Sequence, residues 1–116
     1  MSRASKCRRV CMEPKYRQFQ PDAAAVGTVE VTVVELEALR LCDLEGLEQD
    51  EAAARMEISR GTLQRILYAA RHAVADALVN GKTLVIQGGN YRLASGHCQC
   101  GASCAGCRFQ QQKKEM

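Results

Sequence analysis

The stretch from Leu47 to Asn80 constrains this chain most, because its helical pattern is interrupted once, at a break short enough to be a tight turn. Gln49 to Met56 has the composition of a short helix, with Ala53 small enough to let another helix approach closely. Glu57-Ile58-Ser59 then breaks the pattern, and Ser59 is suited to accept a hydrogen bond from an unpaired amide at the start of the next helix. From there Leu63, Ile66, Leu67, Ala70, Val74 and Ala77 recur at helical spacing and form one apolar stripe. The opposite face carries Arg60, Gln64, Arg65, Tyr68 and His72. A helix packed behind and bearing Arg and Gln at its N-terminal tip suits the reading of bases in a major groove. The spacing therefore predicts a helix-turn-helix whose long last helix runs from about Arg60 to Val79, favoured by its alanine content.

The flanking segments predict a smaller scaffold. Thr32-Val33-Val34-Glu35 is a capping box, opening a helix expected to reach about Glu45 and to stop at Gly46. Val34, Ala38, Leu41 and Cys42 share one face of that helix, while Leu36 and Leu39 sit on another. Two apolar faces need two surfaces to cover them: the helix-turn-helix, and either a small sheet or a second subunit. Val29 and Val31 alternate with polar neighbours, which predicts a strand near 28–31. After the stop at Asn80-Gly81, Thr83–Gln87, Gly88-Gly89-Asn90 and Tyr91–Leu93 predict a hairpin near 83–93. The expected fold class is mainly α, with this small β element. The expected division is an irregular basic arm over 1–21, a DNA-binding domain over 22–94, and a Cys-rich tail over 95–116.

Charge is segregated. Residues 1–17 set six bases against Glu13 (net +5), residues 18–79 set five arginines against eleven acids (net −6), and residues 80–116 set five bases against Glu115 (net +4). Basic ends suit phosphate contact, and an acidic body limits collapse onto a polyanion. No apolar run reaches the ~18 residues that mark a membrane helix, and no apolar segment follows the basic start. A soluble cytoplasmic protein without a signal peptide is the expectation.

Of the seven cysteines, six lie in the two end segments and Cys42 belongs to the expected core. A secreted disulfide scaffold would spread its cysteines through a loop-rich fold, so metal or redox chemistry in a reducing compartment is the better expectation. Cys98, Cys100, Cys104 and Cys107 stand among small flexible residues and are placed to wrap one ion or cluster. Zinc and an iron–sulfur cluster both stay open. Cys7 and Cys11 form half a site, to be completed by the tail or by another subunit, and His97 is a candidate substitute ligand.

Leu39-Arg40-Leu41, Asp43-Leu44-Glu45-Gly46-Leu47, Glu51, Ala53, Ile58-Ser59, Thr62 and Arg65 resemble the promoter-reading fourth conserved region of bacterial sigma factors. Taken with Lys6-Cys7-Arg8-Arg9-Val10, Glu35–Leu41, Gln64-Arg65-Ile66-Leu67 and Gly88-Gly89-Asn90-Tyr91, the chain is similar to an uncharacterised prokaryotic family of small predicted DNA-binding proteins. The resemblance covers about residues 6–91 and implies DNA binding in transcriptional control. Glu48 departs from a usual capping Ser or Thr, and Glu57 from a usual turn Gly, where a left-handed residue with a Cβ costs about 1 kcal/mol.

On these readings Arg60, Gln64 and Arg65 are candidates for base edges, Ser59 and Thr62 for a phosphate, and Arg8 and Arg9 for phosphates or a minor groove. Double-stranded DNA is the expected partner, with homodimerisation and contact with RNA polymerase as further expectations. Tyr68 and Tyr91 are expected to pack. No catalytic constellation is present, so enzymatic activity is not expected. A metal or iron–sulfur carrier that docks a protein partner, and an adaptor for RNA polymerase, stay open as other classes.

Overall fold

A computed structural model describes residues 8–93. The helical body comprises α1 (Val33–Leu39), α2 (Gln49–Met56) and α3 (Arg60–Asn80). Thr32 caps α1: its hydroxyl accepts from the Glu35 amide at 3.0 Å, and the Glu35 carboxylate accepts from the Thr32 amide at 3.0 Å. The helix does not end at Leu39 but widens into a π-helical turn over Arg40–Leu44, where the Glu45 amide reaches the Arg40 carbonyl at 2.8 Å. Gly46 (φ 80) then reverses the chain at the expected stop.

Val34, Ala38 and Leu41 meet Ala52, Ala53 and Met56 of α2 and Leu63 and Leu67 of α3 in one buried cluster. Ala53, 3% exposed, provides the close approach its size predicts. The second face of α1 contributes Val33 to a smaller cluster with Val10, Val31 and Ile86, against which Leu36 packs. Tyr91 touches both clusters, so they are one continuous interior. The second surface that α1 needs is thus partly the sheet of its own chain.

Five short strands complete the described residues: β1 (Arg8–Val10), β2 (Gln18–Phe19), β3 (Thr28–Val31), β4 (Thr83–Ile86) and β5 (Tyr91–Leu93). β4 is central in a three-stranded sheet, antiparallel to β2 and parallel to β3, with Val29 opposite Leu84 and Val31 opposite Ile86. All three helices form the crossover between β3 and β4, as parallel pairing requires. β1 pairs with β5 in a separate parallel ribbon, Arg8 opposite Tyr91 and Val10 opposite Leu93.

Two expectations are corrected here. β4 and β5 do not form a hairpin. Gly88 (φ 83) and Gly89 (φ 98) instead carry the chain past the start of α1, where the Val33 amide donates to the Gly88 carbonyl at 3.1 Å. A Cβ on Gly89 would stand 3.1 Å from Thr32 Cβ, so the glycines serve close backbone approach rather than a reversal. Nor are residues 8–19 an irregular arm, because β1 and β2 join the two sheets and Val10 is fully buried. Short strands with one or two apolar residues have no periodicity to betray them. No described helix is long and apolar enough to cross a membrane.

Candidate nucleic-acid interface

Between α2 and α3 the chain turns through Glu57, whose φ of 61 places a non-glycine residue in the left-handed region. Its carboxylate accepts a hydrogen bond from the Arg92 guanidinium on β5, which ties the turn to the β1–β5 ribbon. Glu48, at the start of α2, makes no side-chain cap. Ser59 does cap α3: its hydroxyl accepts from the Thr62 amide at 3.1 Å and donates to Thr62 Oγ1 at 2.9 Å. Thr62 Oγ1 in turn accepts from Arg65 Nη2 at 3.2 Å, which draws Arg65 back over the exposed Gly61. The first amides of a helix have no intrahelical acceptor and carry the positive end of its dipole, so this tip favours anions.

Leu63 and Leu67 anchor the tip from behind, 0% and 1% exposed. Arg60, Gln64, Arg65, Tyr68 and His72 all face outward. Tyr68 is 74% exposed and stacks on His72, so it does not pack in the core as expected. One turn beyond Gln64, it lies on the same solvent face. Arg60 Nη1 lies 3.5 Å from Asp50 Oδ1, a surface ion pair that water screens. Asp50 and Glu51 occupy the first turn of α2.

Farther along, Arg71 grips Asp43 with both Nε and Nη2, at 3.1 and 2.7 Å. The Arg71 guanidinium holds the Asp43 carboxyl below its usual range, and Asp43 raises Arg71. Arg71 thus fixes α3 to the π-helical turn. Burial pushes the Cys42 thiol up, with the Asp43 charge adding to it.

The N-terminal arginines are not alike. Arg8 is half-buried, whereas Arg9 is 2% exposed and sits inside the protein. Arg9 is therefore corrected from a groove-contacting residue to an interior one. Sequence reasoning also passed over Arg92, whose place beside the turn depends on a strand pairing without a local signature. It missed the interior ion cluster as well. Arg40 binds Glu37 through Nε and Nη2, at 3.0 and 2.8 Å, and lies 3.6 Å from Glu45. Glu37 also accepts the Cys11 amide at 3.0 Å. A Glu and an Arg three residues apart within an apolar helix were the available signal.

Cys11 is half-buried and follows Val10, the partner of Leu93. The parallel register puts it at the end of the ribbon from which the chain continues toward the thiol-rich tail. Cys7, His97, Cys98, Cys100, Cys104 and Cys107 lie outside the described residues. Among the described residues no group of three or more metal-ligating side chains is assembled.

The family described as "Protein of unknown function DUF134" matches residues 1–94. The chain belongs to this family. DUF134 resemblance extends to proteins named UPF0251. One, from Caldicellulosiruptor bescii, is 48% identical over 107 residues, covering 92% of this chain and 74% of that protein. Another, from Thermoanaerobacter pseudethanolicus, is 51% identical over 96 residues, covering 80% and 81%. A third, from Ruminiclostridium cellulolyticum, is 45% identical over 108 residues, covering 93% and 85%. No solved structure matches this DUF134 chain.

Proposed function

We propose that the protein is a DNA-binding transcriptional regulator in which α2, the Glu57 turn and α3 act as a helix-turn-helix of the sigma-factor type. One observation carries this reading: Arg60, Gln64 and Arg65 project from the capped tip of a helix anchored by Leu63 and Leu67. Arg pairs with guanine and Gln with adenine through two hydrogen bonds each, and the tip amides with Ser59 and Thr62 receive a phosphate. Tyr68 and His72, on the same face, reach toward the flanking backbone. Arg92, tied to the Glu57 turn, supplements them from the ribbon.

The clustered thiolates modulate this binding by holding zinc or an iron–sulfur cluster. Cys11 is the described residue best placed to complete the site, since it stands beside the point where the tail departs. Loss of the bound group, or oxidation of the thiolates that would hold it, would loosen the basic ends and lower DNA affinity.

The test is selection of bound fragments from a random duplex pool, followed by gel shift with the selected site. Arg65→Ala is expected to lower specific affinity about 10- to 100-fold, as for loss of one bidentate base contact. Its melting temperature should not change, because among the described residues Arg65 bonds only Thr62. Failure to enrich any sequence overturns the DNA reading, and equal affinity of the variant overturns the assignment of Arg65 to a base edge. Equal affinity of metal-loaded and metal-free protein overturns the sensing step alone.

A further inference from the structure

On the side of α1 turned away from α2, the chain leaves a long apolar face uncovered. Two hollows of about 610 and 440 Å³ lie there, bounded by α1, the C-terminal half of α3, β4 and the segment from Met12 to Pro21. They share Phe19, Leu36 and Ile86 as walls. Around them Tyr16 is 75% exposed, Phe19 55%, Leu44 74% and Leu78 78%. Apolar groups gathered this way are uncommon on a monomer and mark an interaction site.

We propose that this face is a two-fold interface with a second copy of the chain, each Phe19 entering a hollow of the other. Shape comes first. Phe19 rises between two depressions, so one patch carries both a knob and the holes to receive it, which an isologous contact requires. Charge is the second reason. Glu13, Glu37, Arg40, Asp43 and Lys82 on the walls are each in an ion pair within the chain. That leaves Lys15 as the one wall charge without an ion pair among the described residues, and little field to select a charged partner. Third, the undescribed ends of this chain are poorly composed to fill the hollows. Residues 94–116 offer only Phe109 and Met116 as large apolar side chains, and residues 1–7 only Met1.

Scale agrees. A stable interface takes about 800 Å² from each partner, and the exposed parts of Tyr16 and Phe19 alone supply about a third of it. α3 has 21 residues and its C-terminal end lines the second hollow. The tip at Arg60 is about 20 Å from Val74, the nearest wall residue of α3, so it stands outside the proposed contact.

Sedimentation of the full chain, with reductant and with or without chelator, tests the inference. A dimer is expected under both conditions. Phe19→Asp and Leu78→Lys change exposed residues, so each should keep the wild-type circular dichroism. Each acts twice at a two-fold contact and should raise the dimer dissociation constant at least ~100-fold. A wild-type chain that is monomeric at ~100 μM overturns the proposal. So does a dimer that chelator dissolves, or one that both substitutions leave intact. No DNA enters the measurement, so its failure is separate from failure of the DNA reading.

Discussion

The two ends of α3 are built by different means. At its N-terminal end Ser59, Thr62 and Arg65 bond one another across three residues at a time, and the surface they form is polar. Toward its C-terminal end α3 packs on β3 and α1, drawn from distant parts of the chain. There the Ile86 amide donates to the Arg17 carbonyl at 2.8 Å. The first end is shaped by local hydrogen bonds and can present side chains without burying them. The second depends on contacts that form only when the whole chain has collapsed, and it leaves apolar side chains over. A fold this small cannot cover both faces of α1 with one body, which is why its interior and its uncovered groove lie on adjoining sides of the same helix.

Substitutions sharpen this contrast. The largest effect is expected at Arg40, where Arg40→Leu leaves Glu37, only 2% exposed, without its guanidinium. Breaking a buried pair from one side costs about 3–5 kcal/mol, to be read from urea unfolding. Arg65→Ala, at the tip, should stay within about 0.5 kcal/mol in the same assay, since it is exposed. Equal losses at the two sites would break the distinction. Glu57→Gly should act in the other direction. It relieves the left-handed strain at φ 61 and gives up a half-exposed pair with Arg92, for a net gain of about 0.5–1 kcal/mol.

The smallest effect concerns Asp43, where α3 is clasped midway. Its folded-state pKa lies below the unfolded value of about 3.9, so the pair with Arg71 stabilises fully above that pH. The contribution disappears as pH falls through the folded value. Both side chains are about half exposed, and water reduces the effect to a few tenths of a kcal/mol. Asp43→Asn should therefore differ slightly from wild type at neutral pH, with the gap closing below about pH 4 in acid-dependent unfolding. A gap that widens in acid would contradict the clasp.

By itself, the sequence determined whatever rests on neighbours within one helical turn. Thr32 with Glu35, Ser59 before α3, the stop at Gly81 and the stripe through Leu63 and Leu67 all stand where their spacing puts them. The left-handed Glu57 follows from the same local logic. Only the tertiary structure decided that Gly88 and Gly89 pass α1 rather than reverse, that β5 pairs with β1, and that Arg9 lies inside while Arg8 does not. Those outcomes turn on which strands of two to four residues meet across most of the chain. Segments so short carry too few apolar residues to register a period, and burial against a remote partner is what selects among their pairings.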